Sequence, residues 1–269
     1  AIKMATINTA KCYGLKHLGA ISPGFQADFV VLDNLQDLNV TDVFYKGKLV
    51  DRNAPIRVKT CGRALKHTVH LDKVKAEQFV LPIGKKKTHV IGINPSQITT
   101  EDLAVSLQPA ANYVPTDGYS KVAAVGRHHN TGKIGVAVAK GYGIRNGAVA
   151  SSVSHDSHNI IVIGDNDRDM ALAVDEIIRT QGGYTVVENG EVFETLPLPI
   201  MGLMSDAGFE SVNETLGRMI KKAHEMGVPA DIEPFITLSF LALPVIPTLR
   251  ITPRGLCLLT AKGPEILQE

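Results

Sequence analysis

The chain has 269 residues, 44% apolar and 20% charged, with a formal net charge of +1. That is the composition of a soluble globular protein able to bury one large core or two smaller ones, and it excludes disorder. So small a charge gives no electrostatic basis for binding nucleic acid or a membrane surface, and the nine histidines are mostly neutral at pH 7.

Residues 1–18 place Ile2, Ala5, Ile7-Asn8 and Leu15 on a helical stripe ending near Gly14 or Gly19. The chain opens on Ala1-Ile2-Lys3-Met4-Ala5-Thr6, already inside that pattern, so it reads as a piece of a longer polypeptide. A turn-rich stretch leads into the strand Phe29-Val30-Val31-Leu32. Strands Val40 to Tyr45 and Lys48 to Val50 bracket Lys46-Gly47 as a hairpin turn. Residues 51–90 are mixed and charged, hold the run Lys85-Lys86-Lys87 as a solvated loop, and contain the domain boundary. Beyond them, Lys121 to Arg127 and Lys133 to Lys140 read as strands, as do Ala148 to Ser154 and Asn159 to Ile163. A helix follows with Asp165 or Asn166 as its cap, Met170, Val174, Ile177 and Ile178 on one face, and Gly182-Gly183 at its end. Asn189-Gly190 is the strongest hairpin signal. A second helix carries Val212, Leu216, Met219, Ile220 and Ala223 and stops at Gly227, with Ser205-Asp206 as its cap. Met201 and Met204 read as fillers of core gaps. The apolar run Phe235 to Ile246 is too short to span a bilayer. Strand runs mixed with two helices predict an α+β class. Cys12, Cys61 and Cys257 are scattered and form no CxxC, which fits a reducing cytoplasm and neither a disulfide framework nor a zinc knuckle.

Two stretches resemble one family. Met4-Ala5-Thr6-Ile7-Asn8-Thr9-Ala10, then Gly14-Leu15, Gly19-Ala20-Ile21, Pro23-Gly24 and Ala27-Asp28, are similar to the end of an amidohydrolase. Arg127-His128-His129, Lys140-Gly141, Ala150-Ser151-Ser152-Val153 and His155-Asp156-Ser157-His158-Asn159 resemble the extra C-terminal domain of adenine deaminases. So do Met170 to Val174, Leu196 to Ser205 and Pro234 to Pro244. The resemblance implies a last barrel helix at 1–18, part of the amidohydrolase β-sandwich at 19–60, and a mixed-sheet α+β C-terminal domain at 61–269. It implies a whole enzyme that is cytoplasmic and homo-oligomeric, converts adenine and water to hypoxanthine and ammonia, and contacts neither nucleic acid nor membrane. A divalent metal, Mn or Fe, lowers the pKa of bound water in such enzymes. The family's ligands begin with an HxH pair and lie in an N-terminal barrel; no HxH occurs in this chain, so no metal ligand carries over. Alone, the chain is expected to be inactive, and its partner is expected to be the barrel segment.

No residue stands out as certainly catalytic. His155, Asp156, Ser157, His158 and Asn159 form the densest polar cluster, between two apolar strands. An Asp–His pair there suits orienting a purine or moving a proton; the bland alternative is a turn whose side chains satisfy local backbone donors. The resemblance tips the balance toward a loop facing the missing barrel. Arg127, His128 and His129 end a strand and either reach the same cleft or a carboxylate, or form a solvated hairpin with a structural Arg. Gly141-Tyr142-Gly143 with Gly147 misses GxGxxG by one residue and opens no helix, which excludes a nucleotide site there. The alternative to an enzymatic role is a structural or oligomerisation domain that never touches substrate, for which the apolar stretches Leu196–Met204 and Phe235–Pro247 argue.

Overall fold

The computed structural model describes residues 1–54, 62–84, 87–116 and 118–267; Cys61 and the first two lysines of the 85–87 run lie outside the described residues. The chain divides into two compact units, Ala1–Thr60 and Cys61–Glu269.

In the first unit a π-type turn over Met4–Asn8 continues into α1 (Thr9–Cys12), with Thr6 outside helical geometry at φ −128° and ψ −105°. The helix expected over residues 1–18 is thus shorter and broken. The Thr6 and Thr9 hydroxyls donate back to the Ile2 and Met4 carbonyls, a local alternative that competes with the helical ladder. Three antiparallel strands follow, β1 (Phe29–Leu32), β2 (Val40–Tyr45) and β3 (Lys48–Leu49). Lys46 and Gly47 both have positive φ, 50° and 74°, the primed turn that matches strand twist. Phe29 and Phe44 stack at 4.6 Å, yet Val30, Val31, Val40 and Leu49 remain exposed.

The second unit is built on eight strands: β4 (Thr88–Ile93), β5 (Thr100–Val105), β6 (Tyr119–Val125), β7 (Ile134–Lys140), β8 (Gly147–Ser151), β9 (Ile160–Gly164), β10 (Gly183–Glu188) and β11 (Glu191–Pro197). Their spatial order is β11-β10-β8-β9-β6-β7-β4-β5. Every pairing is antiparallel except β4 with β7, where Val90 faces Val138 in parallel. The sheet is covered on both sides, so its central strands read as apolar runs instead of alternating ones. Val122 and Ala124 of β6 enter one core and Ala123 and Val125 the other, as a period of two requires.

One face carries α2 (Asp167–Thr180), which buries Met170, Val174 and Ile177 with Val69, Val74 and Phe79. Asn166 caps it, accepting from the Asp169 N–H at 2.8 Å, and Gln181, not Gly182, takes the left-handed position after it at φ 60°. The other face carries α3 (Phe209–Glu225) and α4 (Pro234–Leu241). The small sheet β12 (Leu249–Thr252), β13 (Gly255–Thr260) and β14 (Gly263–Ile266) joins them through Leu249, Ile251 and Leu256. Three sequence readings need correction. Ser205-Asp206 does not cap α3: Ser205 Oγ accepts from Ala207 N–H and Asp206 pairs with Lys66 at 2.5 Å, while Gly208 holds the cap position. Met201 and Met204 are exposed and fill no core gap. Strands β6 and β8 stop at Val125 and Ser151, short of Arg127 and Ser154, because the chain there leaves the ladder to form loops. Among the described residues no helix is long and apolar enough to cross a membrane.

Candidate functional site

Antiparallel pairing sets where the polar segments meet. Val125 pairs with both Ile134 and Ile160, Ser151 pairs with Ile161 and Tyr184, and Gly183 pairs with Pro197. Six strand ends therefore share one end of the sheet, and the loops 126–133, 152–159 and 198–208 all leave from it. Residues 127–129 and 155–159, separate in sequence, are brought into one corner.

Arg127 is its centre. The side chain is 2% exposed. Its Nε donates to the His158 carbonyl. Nη1 donates to the Thr68 carbonyl and Oγ1 at 3.1 and 3.2 Å, and Nη2 to the Met201 carbonyl at 2.9 Å. The Arg127 N–H donates to Asn159 Oδ1 at 3.2 Å and its carbonyl accepts from His70 N–H at 2.7 Å. The carboxylate partner weighed from sequence is not among these groups: five neutral oxygens do the work. Burial lowers the guanidinium pKa, but Arg remains charged at any ordinary pH. One guanidinium thus ties three loops to the end of β6, and its planar fork is what makes several divergent acceptors reachable at once.

Gly202 makes room for this clamp. It sits at φ 71°, and a Cβ there would lie 2.8 Å from Arg127 Nη1. Its carbonyl accepts from Ser152 Oγ at 2.6 Å, and the same oxygen of Ser152 accepts from Gly183 N–H at 2.8 Å. Ser152, Gly202 and Thr68 escape functional reading as single residues; the only sequence signal is that Ser152 and Gly202 fall within the stretches quoted for the family resemblance.

The histidines differ in what they offer. His128 donates from Nε2 to the Ser157 carbonyl at 2.7 Å. A carbonyl can only accept, so Nε2 carries a proton, and in the neutral ring Nδ1 is the nitrogen with the lone pair. His129 points outward and is exposed. The His155 N–H donates to the Ser239 carbonyl at 3.0 Å, and its ring lies 4.9 Å from Phe240 of α4 and 5.9 Å from His158. The His158 N–H closes a one-turn loop onto the Ser154 carbonyl at 2.6 Å. Burial holds the His158 imidazole below its ordinary pKa, and the nearby His155, Arg127 and His128 push the same way against Asp156. Asp156 and Ser157 are exposed at the tip, and Asn159 donates from Nδ2 to Ser157 Oγ at 3.1 Å. The corner therefore presents a carboxylate, an imidazole lone pair and an aromatic wall of Phe240 and His155, held by a buried cation. No group of three or more His, Cys, Asp or Glu side chains among the described residues is arranged to hold a metal ion.

A family model described as the adenine deaminase C-terminal domain matches residues 97–262, and one described as the amidohydrolase family matches residues 1–50. A protein named adenine deaminase from Desulfitobacterium hafniense (strain Y51) is 52% identical over 258 residues, 95% of this chain and 45% of that protein. One of the same name from Nitratidesulfovibrio vulgaris (strain DP4) is 45% identical, over 95% of the chain and 46% of its own length. The Bacillus pumilus (strain SAFR-032) adenine deaminase is 40% identical over the same shares. The chain thus spans just under half the length of these curated relatives.

Proposed function

The chain belongs to the adenine deaminase C-terminal domain family, and from that premise we propose that it forms the C-terminal part of an adenine deaminase, hydrolysing adenine to hypoxanthine and ammonia. The observation that carries this reading is the 52% identity to the D. hafniense adenine deaminase over 95% of the chain. The divalent metal such chemistry uses, Mn or Fe, would supply an activated water at neutral pH. The family resemblance implies that its ligands lie in the N-terminal barrel of the whole enzyme. We place the whole enzyme in the cytoplasm as a homo-oligomer.

Within it, the contribution assigned to this chain is the corner at the end of the sheet. Asp156 and His128 Nδ1 are the groups there available to accept a hydrogen bond or a proton from a purine edge, and the Phe240–His155 wall suits a flat ring. Arg127 keeps both loops in register. A second reading, a bracing or oligomer-forming domain, is favoured by the exposed Met201 and Met204 on the neighbouring loop and the exposed Phe209 at the start of α3.

A chimaera separates these readings. In it, this chain replaces the matching segment of the D. hafniense protein, and ammonia release from adenine is followed with Mn²⁺ present. Turnover is expected; a folded chimaera that releases no ammonia overturns the assignment. In the active chimaera, Asp156→Ala is expected to lower kcat/KM by about tenfold or more. Unchanged kcat and KM would leave the enzyme intact and make the corner structural.

A further inference from the structure

Two buried polar atoms in the corner have no hydrogen-bond partner among the described residues, His158 Nδ1 and Ser154 Oγ. Both belong to the single turn that the His158 N–H closes onto the Ser154 carbonyl. Buried polar atoms are nearly always paired, and an orphan marks either a strained state or one awaiting a partner. Two in one turn mean that its closed form forgoes bonds that an open form would make with water. His158 also holds a φ of 49°, a left-handed conformation uncommon for a residue with a Cβ.

The charges around the ring point the same way. From the end of β6 it faces the Arg127 guanidinium, which has no carboxylate partner among the described residues, and His128; from its own loop it faces His155 and Asp156. α4 contributes only Phe240 and the Ser239 carbonyl, the latter already taken by His155 N–H. A proton added at His158 Nδ1 would place a buried N–H where no acceptor stands among the described residues. It would also add a second cation to a corner whose nearby carboxylate, Asp156, is exposed.

We propose that the Ser154–His158 turn is a proton-operated latch, closed while His158 is neutral and released when His158 takes up a proton, which carries the imidazole and the Ser154 hydroxyl into solvent. The closed imidazole binds its proton more weakly than a free one, so the sign is fixed: closure is fully favoured above the free-histidine range near pH 6.5 and is lost as pH falls through it. For one proton and a free imidazole near 6.5, the largest possible rise in the open population between pH 7.5 and 5.5 is about tenfold.

Hydrogen exchange of the chain at those two pH values, corrected for intrinsic chemistry, reads the latch directly. Protection of the peptide spanning residues 153–160 is expected to fall severalfold at pH 5.5, while peptides within β8 and β9 hold as internal references. His158→Asn, which keeps a side chain tolerant of left-handed φ and cannot titrate, is expected to show equal protection at both pH values. In the unaltered chain, the NMR titration midpoint of the His158 ring is expected to coincide with the midpoint of the exchange change. This check stands even if the variant does not fold. Unchanged protection in the unaltered chain overturns the latch, as does the same loss in His158→Asn or a ring midpoint that does not track exchange.

Discussion

The two ends of β6 carry buried cations handled in opposite ways. Near its start, Lys121 is 1% exposed and donates to the Phe79 carbonyl at 3.0 Å, Asn112 Oδ1 at 2.9 Å and Asp167 Oδ1 at 2.5 Å. Three N–H groups meet three acceptors, one of them ionised, and Asn112 Nδ2 completes the set by donating to Asp167 Oδ2 at 2.7 Å. Just past the other end, Arg127 is equally buried but reaches, among the described residues, only neutral oxygens. The Lys121 end is a closed charge pair that locks the first residue of α2 to the sheet. The Arg127 end holds loops together while no carboxylate among the described residues pairs with its charge. Equal burial thus gives a rigid lock at one end and a pH-sensitive, loop-bearing corner at the other.

The largest effect expected is at the lock. Lys121→Met leaves Asp167 without its cation and the Phe79 carbonyl without its donor, while Asn112 Oδ1 keeps the Leu81 N–H at 3.0 Å, and breaking a buried pair by removing one member costs about 3–5 kcal/mol. Because Asp167 keeps some solvent contact, the low end of that range is expected. Chemical denaturation checks it, and a loss below about 1 kcal/mol would remove the contrast between the two ends. Arg127→Lys comes next, at about 2–3 kcal/mol, since an ammonium on a single stem cannot serve the His158, Thr68 and Met201 carbonyls together. Its signature is local. Hydrogen exchange is expected to rise in residues 66–70, 155–159 and 198–204 and to stay unchanged in β6 and β9. Uniform loss across the sheet would mean that Arg127 is a core lock like Lys121.

How much of this was legible depended on whether the cause was local. The hairpins at Lys46-Gly47 and Asn189-Gly190, the stripe of α2 and the α+β class follow from turn chemistry and periodicity, and the structure has them. The helix α4 was not legible, because Phe235, Leu238, Ser239 and Leu241 are all buried and a segment buried on most sides shows no period. Ser205-Asp206 looked like a cap because the local pattern fits one; the ion pair with Lys66 comes from a residue 140 positions away. Lys121 read as an ordinary strand residue for the same reason, its partners lying at positions 79, 112 and 167. The two polar clusters were each visible as turns. Their meeting was not, since it rests on β6 pairing with β9 across two intervening strands of sequence.

The smallest of these effects tests whether the Arg127 corner is shaped by close packing as well as by hydrogen bonds. Gly202 lies under the guanidinium with φ 71°, and a Cβ would sit 2.8 Å from Nη1 and 2.9 Å from Cζ. Gly202→Ala is therefore disfavoured twice, by backbone conformation and by contact, at about 1–3 kcal/mol in all. The obstructing atoms are the far end of a long side chain, so part of the cost should vanish once that side chain is shortened. In a double-mutant cycle with Arg127→Lys, the two losses are expected to add to less than their sum by at least about 0.5 kcal/mol. Strict additivity would assign the cost of Gly202→Ala to the backbone alone and would leave Arg127 free of any steric dependence on the 198–204 loop. Coupling would mean that the loop carrying Met201 and Met204 and the loop carrying Asp156 are set by one shared contact, so that a change in either is felt by both.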